Sequence, residues 1–245
     1  TLTGTNYNDS FIGNDSGNFI KGLAGDDYFE ANGGINLLFG GAGNDSFKAS
    51  AGDTNADIID GGDGSDTMDY SVLAVSNHIT LELAASGTAV NISITGSDSD
   101  SLVNIENIIA GSGNDSITGN ELANTFFGNA GIDHLLGEAG NDELYGGAGN
   151  DTLQGGLDDD LLDGGADVDT VDYSKALGSV IVDLGLGNIA QSVGGSQGSD
   201  TLISIENVLG SDYADTFYSN ENANNNFDGG VTDSTGGDTV DYSNR

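Results

Sequence analysis

Apolar residues recur along much of this chain at a fixed interval of nine, each two residues after an acid or its amide and several, such as Phe47 and Leu153, between polar neighbours. Phe11, Ile20, Phe29, Leu38 and Phe47 hold the interval strictly after Asp9, Asn18, Asp27, Asn36 and Asp45; a twelve-residue step then leads to Ile59 and Met68, after Asp57 and Asp66. A second run, Ile117, Phe126, Leu135, Leu144, Leu153, Leu162 and Val171, follows Asp115, Asn124, Asp133, Asp142, Asp151, Asp160 and Asp169 without a slip. Polar-apolar-polar spacing predicts a three-residue strand with one side chain inward. The six residues between, of the form Gly-Gly-x-Gly-x-Asp as in Gly40 to Asp45 and Gly146 to Asp151, read as a turn, because glycine disfavours a helix by about 1 kcal/mol and admits positive φ.

One such unit buries a single side chain and cannot fold alone. Two turns and two strands close an eighteen-residue coil, and coils stacked at about 4.8 Å let every strand pair in parallel with its equivalents above and below. A longer period lies over the short one. The tripeptides Asp69-Tyr70-Ser71, Asp172-Tyr173-Ser174 and Asp241-Tyr242-Ser243 close three blocks, and Ile105-Glu106-Asn107-Ile108 matches Ile205-Glu206-Asn207-Val208 at the ends of two inserts. The expected organisation is a repeat block over 1–71, a strand-rich insert over 72–109, a block over 110–174, an insert over 175–208 and a degenerate block over 209–245, in which Asn226 holds a ladder position and extra residues separate Gly229-Gly230 from Asp238. Alternation in 78–83 and 180–184 predicts extended strands or hairpins in the inserts. The chain starts where an insert would finish, so it reads as an excerpt of a longer array.

Charge sharpens this picture. Forty acidic residues face four basic ones, for a net charge of −36, which excludes nucleic acid and anionic membrane as electrostatic partners. Asp outnumbers Glu by 32 to 8, so short carboxylates are being placed at turns. There is no run long enough for a membrane helix and no signal-peptide pattern, and the absence of Cys rules out a disulfide scaffold. Stacking sets Asp133 against Asp151, Asp142 against Asp160 and Asp151 against Asp169. Carboxylates that close repel or share a proton unless a cation intervenes. Calcium, with six to eight oxygen ligands, suits acidic glycine-rich turns better than magnesium, and soft metals would want the missing Cys and scarce His. Turn capping by Asx side chains without metal is the competing reading.

The nonapeptide resembles the RTX (repeats-in-toxin, hemolysin-type calcium-binding) repeat Gly-Gly-x-Gly-x-Asp-x-U-x, where U is apolar. The resemblance implies an all-β fold, a right-handed parallel β-roll (a β-helix or solenoid) whose blocks stack on several bound calcium ions, with β-hairpin inserts. It implies side-chain ligation by Asp27, Asp45, Asp66, Asp133, Asp142, Asp151, Asp160 and Asp169, with Asp9, Asp57 and Asp115 as further ladder acids. Carbonyls of Gly40, Gly43, Gly61, Gly64, Gly131, Gly140, Gly146 and Gly149 complete the set. Asn18 with Asn36 offers no charge and Asn124 halves it opposite Asp142, so weak or empty gaps are expected there; Asp158 and Asp167 replace a family glycine and either add ligands or distort the turn.

No catalytic site emerges. His78 and His134 have no triad partners, the run Asp158-Asp159-Asp160 sits in calcium register rather than as a glycosidase pair, and the glycine-rich turns lack the Lys and helix of a phosphate site. The expected function is a non-enzymatic, calcium-dependent structural module of a large secreted bacterial surface or matrix protein of the adhesin or S-layer type, exported unfolded by type I secretion. Its expected partners are calcium and neighbouring modules of the same chain, with self-association allowed and no membrane insertion. The alternative is the C-terminal calcium-binding region of a type I secreted enzyme or toxin. The inserts have no aromatic residue over 72–104 or 175–205, which argues against a carbohydrate-binding face there.

Overall fold

The computed structural model describes residues 1–96, 99–220, 224–230 and 237–242. Among them there is no α-helix, only short strands and one 3-10 turn, Leu184–Leu186. Ser243 of the third closing tripeptide and most of the extra residues of the third block lie outside the described residues. Two compact units form: Thr1–Asn120 with Thr125–Ala130, and Glu121–Asn124 with Gly131–Arg245.

In the first unit Leu2–Thr3, Phe19–Ala24, Leu37–Ala42, Ile58–Asp63 and Ser101–Val103 pair in parallel as one sheet. Ser10–Ile12, Tyr28–Glu30, Ser46–Lys48, Thr67–Asp69, Asn107–Ile109 and Thr125–Ala130 form the opposite one. In the second unit His134–Ala139 pairs with Thr152–Leu157, and Glu143–Ala148 with Leu161–Ala166. The register is the eighteen-residue coil: Phe19 faces Leu37 and His134 faces Thr152. This is a parallel β-roll.

The ladder residues form its core. Phe11, Ile20, Phe29, Leu38, Phe47, Ile59 and Met68 in the first unit, and Leu135, Leu144, Leu153, Leu162 and Val171 in the second, are all buried. Because equivalents stack directly, Phe11, Phe29 and Phe47 make a column with ring centroids 5.1 and 4.6 Å apart. The inserts also enter the stack. Ser101–Val103 pairs with Ile58–Asp63 and Asn107–Ile109 with Thr67–Asp69, so Asp100 to Ile109 is itself a layer, and Ser199–Ile203 with Asn207–Leu209 repeats it in the second unit. Antiparallel strands Val90–Asn91 and Gln191–Ser192 then cover those layers' edges.

The expected partition into three strand residues and six turn residues is corrected in Phe19–Ala24, Leu37–Ala42, Ile58–Asp63 and Thr125–Ala130 and in the consecutive strands from His134–Ala139 to Leu161–Ala166. There the strands run six residues, as in Thr152–Leu157, and only Gly149-Asn150-Asp151 turns the corner before it. Propensity counts glycine as a breaker, but a layer above and a layer below supply backbone partners on both sides, and lack of Cβ permits that approach: a methyl on Gly156 would overlap the carbonyl of Glu138. The position after the first glycine needs positive φ, which Gly147 (110°) meets without strain and Leu23 (94°) and Glu138 (81°) do not. Asp158 (77°) and Asp167 (84°) also hold positive φ at the corner, below the 111–149° of the equivalent Gly43, Gly64, Gly131, Gly140 and Gly149.

Leu23→Gly and Glu138→Gly, both at exposed positions, are expected to raise the unfolding free energy by about 0.5–1 kcal/mol each in calcium, read by denaturant titration, whereas Phe47→Ala lowers it by about 3–5 kcal/mol.

Candidate metal centre

The stack gives each ladder carboxylate two distinct environments. One oxygen is tied to the neighbouring layer: Asp9, Asp27 and Asp45 donate their backbone N–H to Oδ1 of Asp27, Asp45 and Asp66 at 2.7, 2.8 and 2.7 Å. The second unit repeats this on both edges, Asn124 to Asp142 to Asp160 at 2.8 and 2.9 Å, and Asp133 to Asp151 to Asp169 at 2.8 Å each. A second ladder runs the other way through the preceding residue, where Asn44 N–H reaches Asp26 Oδ1 at 2.9 Å and Ser65 N–H reaches Asn44 Oδ1 at 3.0 Å. The recurrent Asn-Asp dipeptide thus stitches each turn to the layers on both sides, a role its repetition in the sequence could have signalled.

The other oxygen has nothing. Oδ2 of Asp27, Asp45, Asp66, Asp142, Asp151, Asp160 and Asp169 is buried without a hydrogen-bond partner. These residues are at most 3% exposed. Burial pushes their carboxyl groups up, to about 7 for Asp66 and Asp142, about 8 for Asp160 and about 6 for Asp169; neighbouring carboxylates add to the rise at Asp66, Asp160 and Asp169. A bare buried carboxylate costs several kcal/mol, so the stack as it stands demands protons or cations.

What surrounds Oδ2 is oxygen. A methyl group placed on Gly146 would overlap Oδ2 of Asp151 and stand 2.7 Å from the Gly164 carbonyl, and one on Gly40 would overlap Oδ2 of Asp45 and the Gly61 carbonyl. Lack of a Cβ at these glycines therefore lets a carboxylate oxygen and the next layer's carbonyl come together. Among the described residues no three His, Cys, Asp or Glu converge. A cation here would draw on one or two carboxylates and otherwise on carbonyls, the donor set of a hard ion with high coordination number. The residues fit calcium. Gly43, Gly64, Gly131, Gly140 and Gly149 sit at the corners with φ between 111 and 149°, and Gly61 heads the next layer's glycine pair.

Other acids stand apart. Asp9 Oδ2 accepts from Thr5 N–H at 2.6 Å and Thr5 Oγ at 2.9 Å, and Asp215 is closed likewise by Ser211. Asp115, by contrast, is buried and keeps the layer-to-layer bond of the main rows, its Oδ1 accepting Ile79 N–H at 2.7 Å. Asp57 Oδ2 accepts from the Asn36 amide at 3.2 Å. Sequence reasoning missed the residues that end the rows. Asp66 N–H reaches Glu106 Oε2 at 2.9 Å and Asp169 N–H reaches Glu206 Oε2 at 3.0 Å; Asp57 and Asp160 donate to Oδ1 of Asp100 and Asp200, whose Oδ2 atoms accept the buried Tyr70 and Tyr173 hydroxyls at 2.9 and 2.8 Å. Extending the Ile-Glu-Asn match backwards to Asp100-Ser-Leu-Val and Asp200-Thr-Leu-Ile would have found them.

The family model described as RTX calcium-binding nonapeptide repeat (4 copies) matches residues 3–38, 30–68, 104–135, 118–153 and 136–171, more than half of the chain. The chain belongs to the RTX calcium-binding repeat family. No curated protein matches it. As an RTX chain it is a calcium-binding module, and the buried aspartate rows fit that role.

Two outcomes follow. Without calcium the raised carboxyl pKa values stabilise the fold only where protons remain, so stability of the calcium-free form is fullest below about pH 4 and lost as pH rises through about 6–8. Calcium in place holds the same groups ionised, so stability is present at neutral pH and lost on acidification; thermal melts across pH in chelator and in calcium should slope in opposite directions. Asp151→Asn, which touches layers on both sides, should lower the calcium bound per chain by at least one ion in calorimetric titration, while Asp9→Asn, in its closed turn, leaves it unchanged.

Proposed function

We propose that this RTX chain is a non-enzymatic structural module of a large secreted bacterial surface or matrix protein, of the adhesin or S-layer type, in which calcium is the agent of folding. The row of buried carboxylate oxygens without partners carries the reading, because a chain with four basic residues has no internal means of neutralising it. An unpaired charged stack of this kind is unstable until a cation arrives, so the binding free energy appears as folding free energy. A chain of this type travels unfolded through a type I secretion channel at low intracellular calcium and folds outside, where extracellular calcium modules operate at about 0.1–1 mM. No helix among the described residues is long and apolar enough to cross a membrane.

The array reading draws its support from the inserts. Both end in the same layer, Asp100 to Ile108 and Asp200 to Val208, and each continues the β-roll beyond the preceding block. A module that ends one calcium row and resumes coiling suits a long cell-surface protein whose neighbouring modules repeat the pattern.

Calcium titrated into the chelated chain should produce a cooperative gain of β signal in far-ultraviolet circular dichroism, with magnesium at the same concentration giving less than about a tenth of the change. A full β spectrum in excess chelator at neutral pH would remove calcium as the folding agent.

A further inference from the structure

The edge of the first unit that carries Asn18, Asn36, Asp57 and Asp100 differs in chemistry from the opposite edge carrying Asp27, Asp45 and Asp66. It obeys the same stacking rule: Asn18 N–H donates to Asn36 Oδ1, Asn36 N–H to Asp57 Oδ1 and Asp57 N–H to Asp100 Oδ1, at 2.8, 2.8 and 2.9 Å. What changes is the second side-chain atom. Fully buried Asn36 turns its amide nitrogen into the turn, donating to the carbonyls of Asn32 and Gly34 at 3.2 and 2.8 Å and to Oδ2 of Asp57 at 3.2 Å. Asn18 points its own amide at the carbonyls of Asn14 and Ser16. At the far end the Tyr70 hydroxyl takes Oδ2 of Asp100.

Each of these donors occupies oxygens that a cation would need. The Asn36 amide cannot simply rotate to offer its oxygen, because Oδ1 already accepts Asn18 N–H, and exchange would set an amide N–H against a backbone N–H. An –NH2 group facing two carbonyls and a carboxylate delivers partial positive charge where the opposite edge has none to give. Asp57, whose spacing marks it as a ladder acid, is consequently satisfied from one side by Asn36, and the next carboxylate along the row is satisfied by a tyrosine.

We propose that this edge is a calcium-free row, closed by its own N–H and O–H donors, so that of these two edges calcium enters only the Asp27–Asp45–Asp66 one. The inference rests on the reading that turns with a bare Oδ2 take calcium. It makes the choice between Asn and Asp at a ladder position a choice between an internal donor and an external ion, and it assigns Tyr70 the task of ending the row.

The test counts calcium ions retained per full chain, by elemental analysis after gel filtration in calcium buffer, with folding checked by circular dichroism. Asp57→Asn should keep the wild-type number, Asp45→Asn should lose at least one ion, and Asn36→Asp, which replaces the donor with a second carboxylate facing Asp57, should gain one. Loss of an ion in Asp57→Asn, or an unchanged number in folded Asn36→Asp, would overturn the calcium-free row while leaving the calcium reading of the opposite edge intact. Should Asn36→Asp fail to fold, the Asp57→Asn count decides alone. A wild type with no bound calcium, or Asp45→Asn binding as many ions as wild type, would overturn the calcium reading and this inference with it.

Discussion

A carboxylate has two oxygens, and the stacking of this chain can satisfy only one of them. Eighteen residues close a coil, so each ladder aspartate lies over the next, and its backbone N–H meets the neighbour's Oδ1 at 2.7 to 2.9 Å along the main rows. That bond sets the register of the turns. It also leaves Oδ2 against glycine with no donor, at Asp27, Asp45 and Asp66 and again at Asp142, Asp151, Asp160 and Asp169. The hydrophobic ladder holds the coils together, and its gain is opposed by this accumulated charge.

The layers that break the pattern explain the longer period. At Asp100 and Asp200 a six-residue spacing to Glu106 and Glu206 replaces the nine of the repeat, and these four side chains accept the last N–H groups of their rows. The closing tripeptides serve the same end. Asp69 and Asp172 cap the chain reversal by accepting Ser71 and Ser174 N–H at 2.8 and 2.7 Å, which carries Tyr70 and Tyr173 inward to hold Oδ2 of the terminal aspartates. A row therefore begins, repeats and ends by changing only which donor meets the second oxygen.

Much of this was legible in residue spacing. A period of nine with one apolar position dictates a two-strand coil and a parallel stack, and it picks out Phe29, Phe47, Leu144 and Leu153 as core. Three things were not legible. The glycine pairs read as turn because single-residue propensity ignores the neighbouring layers, whose backbones turn them into strand. Asp100 and Asp200 were hidden by their shorter spacing and by the distance in sequence, 43 and 40 residues, to the amides they accept. Ladder acids also look alike in sequence although Thr5 closes the turn of Asp9, the Asn36 amide satisfies Asp57, and Asp45 is left open; that difference rests on which atom reaches Oδ2, and only coordinates reveal it.

The most direct measurement is anomalous X-ray diffraction from crystals grown in calcium. The account predicts ions bound to Oδ2 of Asp27, Asp45, Asp66, Asp142, Asp151, Asp160 and Asp169, shared between layers and completed by turn carbonyls. Well-ordered crystals in which those seven oxygens meet only water, or are protonated against one another with no metal between the layers, would contradict it.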